Sequence, residues 1–434
     1  DALPILDEEH DLSYKQQEGF RYHARDVALY RGYLEQCPVI LGSATPSIDS
    51  YHLVEQNKLE LLQLNQRAGV ALLPKMHLID LKVAKKNEGL SQILIDQIQH
   101  TLDRQEQVLI FLNRRGYAPV LVCESCGWQA NCPNCDAHFT LHTQPYGYLH
   151  CHHCGTIHRL PETCPECHHH TLKTLGMGTA KVEEHLKTLF PEHDVIRVDR
   201  DSTSRVGSWQ KIYDRIQHNK PMILLGTQML AKGHDFRRIT LVAAVQPDGA
   251  LFSSDFRAPE RLFALLMQAA GRAGRDAAYM AAQGQPCEMW VQSFHPQHAV
   301  YEALRKHDYE AFAAQQLQER EEAAMPPFSY QALVRADART QEVAQGFLSA
   351  ATAAAHAAQL PGLPDGTVIL FPPVPLSIQR VANVERAQML LESSSRATLQ
   401  RFLAAWQPVL QATRSQTDQK GLIRWLVDVD PLAI

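Results

Sequence analysis

Residues 123–167 read CESCGWQANCPNCDAHFTLHTQPYGYLHCHHCGTIHRLPETCPEC. Eight of the chain's ten cysteines fall here as four Cys-x-x-Cys pairs: Cys123/Cys126, Cys132/Cys135, Cys151/Cys154 and Cys164/Cys167. Such a pair holds two thiolates at about the separation one Zn²⁺ needs, so four pairs make two tetrahedral Cys₄ sites. Fifteen residues separate Cys135 from Cys151, a zinc-ribbon spacing. The inner pairs are therefore expected to close one site, and Cys123/Cys126 with Cys164/Cys167 a second around it. The competing disulfide framework belongs to small secreted domains, and this chain is large. His150, His152, His153, His168, His169 and His170 read as solvated surface, because eight cysteines already fill two sites. Cys37 and Cys287, outside the cluster, read as ordinary buried thiols.

A length of 434 residues predicts two to four domains, and 45% hydrophobic content supplies several cores. A net charge of −5 gives no bulk basic field, so any nucleic-acid contact must come from local patches. No apolar run reaches the roughly 18 residues that span a bilayer. With thiols held for metal, a soluble cytoplasmic protein without a membrane partner is expected. The chain starts at Asp1, inside a strand-like stretch, and reads as a fragment.

The first block reads α/β. Ala2–Leu6 is strand-like and ends in Asp7-Glu8-Glu9-His10; Val39–Leu41 ends in Gly42-Ser43-Ala44-Thr45-Pro46. Open α/β sheets bind ligands at such strand ends. Gln107–Leu112 and Met222–Leu225 read as buried strands of a second α/β block that the cysteines interrupt. Beyond residue 300 come an Ala/Gln-rich helix (Glu310–Ala324) and short strands, of which Val368–Phe371 and Trp425–Val429 are clearest. That texture suggests a separate α+β domain.

Four motifs carry chemistry. The DEEH acids suit a nucleotide–Mg²⁺ site, one carboxylate holding the metal and the next orienting water, although an acidic loop reads the same. The hydroxyls of Ser43 and Thr45 can bridge such a site to the rest of a cleft, or simply cap a helix before proline. GTQMLAKGHDF (226–236) follows a strand; Gly226 and Gly233 allow backbone approach to phosphate, Lys232 adds charge, and a plain strand-to-helix turn is the alternative. QAAGRAGR (268–275) ends an amphipathic helix with Leu262, Leu265, Leu266 and Ala269 at i, i+3, i+4, i+7. Arg272 and Arg275 leave it three apart and can neutralise a γ-phosphate.

In this order the four motifs resemble motifs II, III, V and VI of superfamily 2 helicases, with Asn113-Arg114-Arg115-Gly116-Tyr117 resembling the motif IV region. DEEHDLSYKQQEGFRYHARDVALYR, GSATP, LNRRGY, the inserted cysteines, GTQMLAKGHDF and QAAGRAGR together resemble the primosomal protein N′ family of replication-restart helicases along essentially the whole chain. The cysteine insertion is the most discriminating part.

The resemblance implies RecA-like helicase lobes, the first partial, with an inserted two-zinc module and a C-terminal α+β domain. On that template residues 1–78 are the C-terminal part of lobe one and 79–122 the first part of lobe two. Residues 123–168 are the zinc insertion, 169–300 the remainder of lobe two and 301–434 the C-terminal domain. It implies an ATP-dependent 3′→5′ DNA helicase that recognises stalled forks and starts primosome assembly, nucleoid-associated and monomeric. Asp7 and Glu8 would be the catalytic acids, with Arg272 and Arg275. Gly226, Lys232, Gly233 and Gln268 would join Asp7 and the arginines around ATP and Mg²⁺. Ser43 and Thr45 would couple hydrolysis to DNA. Tyr14, Lys15, Phe20, Arg21 and Tyr22 resemble the family's aromatic-rich DNA-binding loop. Implied partners are forks, single strands, the single-stranded-DNA-binding protein and other primosome proteins.

No G-x-x-x-x-G-K-[ST] loop occurs in these residues. The family carries it upstream of the DEEH acids, so this chain alone is expected to hydrolyse ATP negligibly. A non-catalytic, zinc-dependent DNA- and partner-binding module is the alternative, and a remodelling ATPase with an unrelated zinc ribbon a third.

Overall fold

The computed structural model describes residues 4–64, 73–112, 121–133, 139–142, 147–151, 156–174, 179–198, 208–218, 220–226, 236, 238–251, 255–274, 276, 279–280, 282, 286–415 and 420–432. Residues 113–117, Cys135, Cys154, Lys232, Gly233 and Arg275 lie outside the described residues. The chain divides into two units, Leu62–Phe312 and Asp1–Leu61 with Ala313–Ile434.

The first of these is built on a parallel six-stranded sheet. Its order is Asp194–Val198, Met222–Gly226, Gln107–Leu112, Ile239–Val245, Glu288–Ser293, Lys75–Asp80. The three central strands are buried at every position, as uninterrupted apolar runs require when helices cover both faces. One face carries Val108, Ile110, Leu112, Ile223, Leu225, Leu241 and Ala243 against Leu94, Ile95, Ile98 and Leu102 of the helix Gln92–Asp103. The hydroxyl of Ser91 caps that helix by accepting from the Leu94 amide. The alternate residues Leu109, Phe111, Leu224, Val242 and Ala244 are equally buried, and the helix Ala258–Ala270 packs on the strand Ile239–Val245. The chain crosses from Met222–Gly226 over Gln107–Leu112 to Ile239–Val245. A topological switch point therefore opens at the carboxyl ends of these three strands. This is the second α/β block that the apolar strand runs implied.

Two expected boundaries fall inside elements. The strand Lys75–Asp80 pairs along its length with Glu288–Ser293, so residues 75–78 pack with this sheet. The helix Ala299–Lys306 belongs to the same unit: the Tyr301 hydroxyl donates to buried Asp248 at 2.7 Å, and Phe312 stacks on Phe263 at 4.4 Å. The cysteine insertion also has a wider base than residues 123–168. Its first strand, Leu121–Cys123, pairs antiparallel with Leu172–Thr174.

The second unit joins two pieces. In the first, the strands Ile5–Asp7 and Ile40–Gly42 pair in parallel beside the helices Ala24–Glu35 and Ile48–Glu55. The other is an antiparallel sheet, Val368–Leu370, Val384–Ser393, Tyr330–Ala338, Leu422–Val429, with Val374–Val381 also on Val384–Ser393. The helices Gln341–Ala357 and Arg396–Arg414 cover one face, where Ala332, Val334, Ala336 and Met389 meet Phe347, Ala351, Phe402 and Trp406. Of the alanines in 350–358, Ala351 and Ala355 pack in this core, while Ala353, Ala357 and Ala358 stay exposed. Leu333, Arg335 and Asp337 point to the other face, as does Asp428, the register partner of Leu333.

Candidate active site and metal centre

Register brings the first two motifs together. Asp7 stands opposite Gly42 in the parallel pair, so the DEEH and GSATP turns leave side by side. A Cβ on Gly42 would lie 3.7 Å from Asp7 Oδ1. Asp7 is exposed and its Oδ1 accepts the Glu8 amide at 3.0 Å. Glu8 holds a left-handed backbone at φ 51°, uncommon for a side-chain-bearing residue, and keeps its carboxylate 45% exposed. His10 links the turns, with Nδ1 2.7 Å from Ser43 Oγ and 3.5 Å from Glu8 Oε2. Ser43 Oγ accepts the Thr45 amide at 3.0 Å. Thr45 itself is buried, and its hydroxyl has no hydrogen-bond partner among the described residues.

The third acid is structural, a role the sequence reading left unassigned. Glu9 is 1% exposed and accepts from the Ser47 amide, the Ser47 and Ser50 hydroxyls (3.1 and 3.0 Å) and Arg25 Nη1 (3.3 Å). It pins the helix start after GSATP to the acidic turn. No sequence signal marks this, because the partners lie 38 and 41 residues away.

The aromatic-rich loop is a small hairpin. Lys15 bridges His23, and the Gln16 amide donates to Tyr22 O. Phe20 is 86% exposed and Tyr22 43%, while the Tyr14 hydroxyl donates to Asp7 O at 2.7 Å. The cations do not accompany the rings outward. Lys15 is buried against Asp428 at 3.1 Å, and Arg21 reaches the same carboxylate at 3.3 Å.

Of the expected phosphate contacts in this unit, Gly226, Gln268 and Arg272 lie among the described residues, and Gly226 stands apart from the other two. Gly226 ends its strand level with Phe111 and Ala244. The GRAGR turn sits at the other edge, where the Gly274 amide donates to Ile239 O at 2.9 Å. Four residue steps of the partner strand, Gln107 to Phe111, separate the two levels, about 13 Å. Gln268 is half-buried and Arg272 buried, not a solvated surface arginine. Gly274 has φ +68° and a Cβ there would fall 2.6 Å from Cys287 Sγ, so only glycine fits. Cys287 is buried as expected; Cys37 is only half-buried.

Cys123, Cys126, Cys164 and Cys167 bring their sulfurs within 4.8 Å of one another. The pairs Cys123–Cys167 and Cys126–Cys164 stand 3.5 and 3.6 Å apart, near the ~3.8 Å edge of a tetrahedral zinc–thiolate site. These four cysteines are free thiols. Both pairs form knuckles. The Gly127 and His168 amides donate to Cys123 O and Cys164 O, and each residue takes positive φ. The Trp128 amide donates to Cys126 Sγ at 3.4 Å. Burial opposes ionisation of Cys123, but the Thr171 hydroxyl and neighbouring amides hold it down at about 6; burial pushes Cys126 up to about 12. This outer set, the one paired from spacing, fits zinc. Of the inner set, Cys132 and Cys151 are buried in one small core with Phe139 and Leu149.

Residues 321–432 match the family model of the Primosomal protein N C-terminal domain. Over 98% of its length the chain is 44% identical to replication restart protein PriA of Haemophilus influenzae, covering 56% of that protein. This chain is a relative of the PriA proteins. PriA of Bacillus subtilis is 40% identical over 80% of the chain and 42% of its own length. PriA of Rickettsia conorii is 34% identical over 99% of the chain and 63% of its own. The chain thus spans about half the length of the curated PriA relatives it matches. Two solved structures also align, each with a TM-score of 0.35. S. cerevisiae Dbp5 bound to RNA and ADP BeF3 is 12% identical, over 74% of this chain and 64% of that one. RecG bound to a three-way DNA junction is 14% identical, over 73% and 30%. Among the described residues no helix is long and apolar enough to cross a membrane.

Proposed function

We propose that this chain carries motor and DNA-contacting parts of an ATP-dependent 3′→5′ DNA helicase that acts at stalled forks and initiates primosome assembly. The observation that carries the reading is the Asp7–Gly42 register, which sets an exposed acid pair beside a Ser/Thr turn in a relative of PriA.

Asp7 and Glu8 have the exposure to hold a hydrated Mg²⁺, which when bound neutralises phosphate charge. Glu8 orients the attacking water and takes its proton, and Glu9 fixes the turn from which both acids project. His10, bonded to Ser43, ties the acid turn to the hydroxyls that respond to DNA. Arg272 and Arg275 neutralise the transferring γ-phosphate. Lys232, Gly233 and Gln268 join the arginines around ATP, and Gly226 serves the carboxyl edge of its sheet. Phe20 and Tyr22 stack on unpaired bases. The eight cysteines hold two structural zincs, and the C-terminal domain engages DNA and the single-stranded-DNA-binding protein.

ATP turnover tests this. The 434 residues contain no phosphate loop, so the purified chain should hydrolyse ATP negligibly with or without DNA. A longer protein carrying that loop ahead of Asp1 should show DNA-stimulated hydrolysis that Asp7→Asn abolishes. DNA-stimulated turnover by the 434-residue chain, or an active Asp7→Asn protein, overturns the assignment.

A further inference from the structure

We infer that Asp428 is an internal stand-in for nucleic-acid phosphate, holding Lys15 and Arg21 in a latch that single-stranded DNA must open to obtain the aromatic loop's full grip. The inference rests on the reading of that loop as a single-strand contact.

Three observations carry it. The first is how completely Lys15 is occupied. Its side chain is 3% exposed and that of Asp428 6%, with Nζ 3.1 Å from Asp428 Oδ1. Nζ also donates to Val429 O at 2.5 Å and to Asp430 O at 3.3 Å. Two of the ammonium's three donors go to these carbonyls, and its charge is paired with the Asp428 carboxylate. The second is that Arg21, at the far side of the hairpin, takes the other oxygen of the same carboxylate at 3.3 Å. The third is the opposite disposition of the rings: Phe20 and Tyr22 face solvent 6.2 Å apart. A single-strand site needs stacking surface and cations together. This hairpin displays the first and withholds the second.

The latch is energetically poised to exchange. Burying an ion pair returns little net stability, because desolvation offsets most of the attraction. A phosphate backbone that offers Lys15 and Arg21 new anions must therefore offset chiefly the cost of leaving Asp428 behind. Asp428 is not abandoned when they leave. Arg335 lies on the same sheet face, one strand over, and Asp428 already counteracts the burial that lowers its pKa. Opening also has a route to chemistry, since Tyr14, beside Lys15 in the chain, holds the Asp7 carbonyl.

The test uses the 434-residue chain and fluorescein-labelled oligo-dT, with affinity read by anisotropy across a salt series. Wild type should bind, and Asp428→Asn should bind ~10-fold tighter at low salt. Its log K against log salt should steepen by about 1.4, the signature of two added phosphate contacts on a single strand. Equal affinity and slope in both proteins overturn the latch and leave the loop's DNA contact standing. Failure of both to bind overturns the DNA reading itself, and the latch with it. A measurement on wild type keeps the idea exposed even where Asp428→Asn misfolds. On adding oligo-dT, amide exchange should slow in residues 14–22 and quicken at 428–430. Slower or unchanged exchange at 428–430 sinks the latch.

Discussion

Glu9 accepts two hydrogen bonds from Ser47, one from its amide and one from its hydroxyl, while Arg25 closes the network from a third side. The acid and the serine lie 38 residues apart, yet this contact fixes the spacing of the two turns that flank the proposed Mg²⁺–ATP site. Glu9→Ala should destabilise the unit by ~3–5 kcal/mol, because it strips the acceptor from the Ser47 amide and two buried hydroxyls at once, while Arg25 keeps Asp26. Glu9→Gln keeps an acceptor and should cost ~1–3 kcal/mol. Urea unfolding, with amide exchange at residues 43–50 as the local readout, checks both; an Ala variant as stable as wild type refutes the role.

Gly274 should not tolerate a side chain. Its positive φ costs a β-carbon ~1–2 kcal/mol, and the approach to Cys287 Sγ adds a steric term of ~1–3 kcal/mol. Gly274→Ala is expected to lower the thermal midpoint, and Cys287→Ala in the same chain to recover the steric part only. Full recovery would show that the backbone carries no strain.

Zinc analysis should give two ions per chain. Cys164→Ser, which removes a buried ligand of the outer site, should lower the content to one. Chelation or that substitution should expose residues 121–174 to protease, while amide protection of Gln107–Leu112 and Ile239–Val245 persists, because structural zinc stabilises folding locally. Loss of protection in those strands at the same chelator concentration would mean the insertion is not separate.

His23 gives the pH dependence its sign. Burial, then the neighbouring Arg25, lowers its pKa from 6.5 to about 4 in the folded chain. The unfolded chain takes up this proton below pH 6.5 and the folded chain does not, so stability should fall as pH drops from 6.5 to about 4 and level off below. His23→Gln should flatten that part of the stability–pH curve; an unchanged curve would place the dependence elsewhere.

Much of this is legible in the sequence. Apolar runs marked Gln107–Leu112 and Met222–Leu225, the latter one residue short of the strand, because a strand covered on both faces is apolar nearly throughout. Helical spacing of Leu262, Leu265, Leu266 and Ala269 ended the arginine helix within QAAGRAGR, and it ends at Ala270. Cys-x-x-Cys spacing paired the outer cysteines correctly, since a knuckle is closed by local backbone bonds. Motif order alone, however, grouped Gly226 with Arg272, which strand direction separates to opposite edges of the sheet.

Local chemistry, written within a few residues, was the sequence's to determine: strands, helix ends, zinc knuckles, the acid turn and the serine-rich turn. Tertiary structure alone decided which acid is buried and which stays open, and it turned Lys15 and Arg21 from free cations into partners of Asp428, more than 400 residues away. The reason is physical. A charge's role depends on its desolvation and on the counter-charge it meets, and neither is set by its neighbours in sequence.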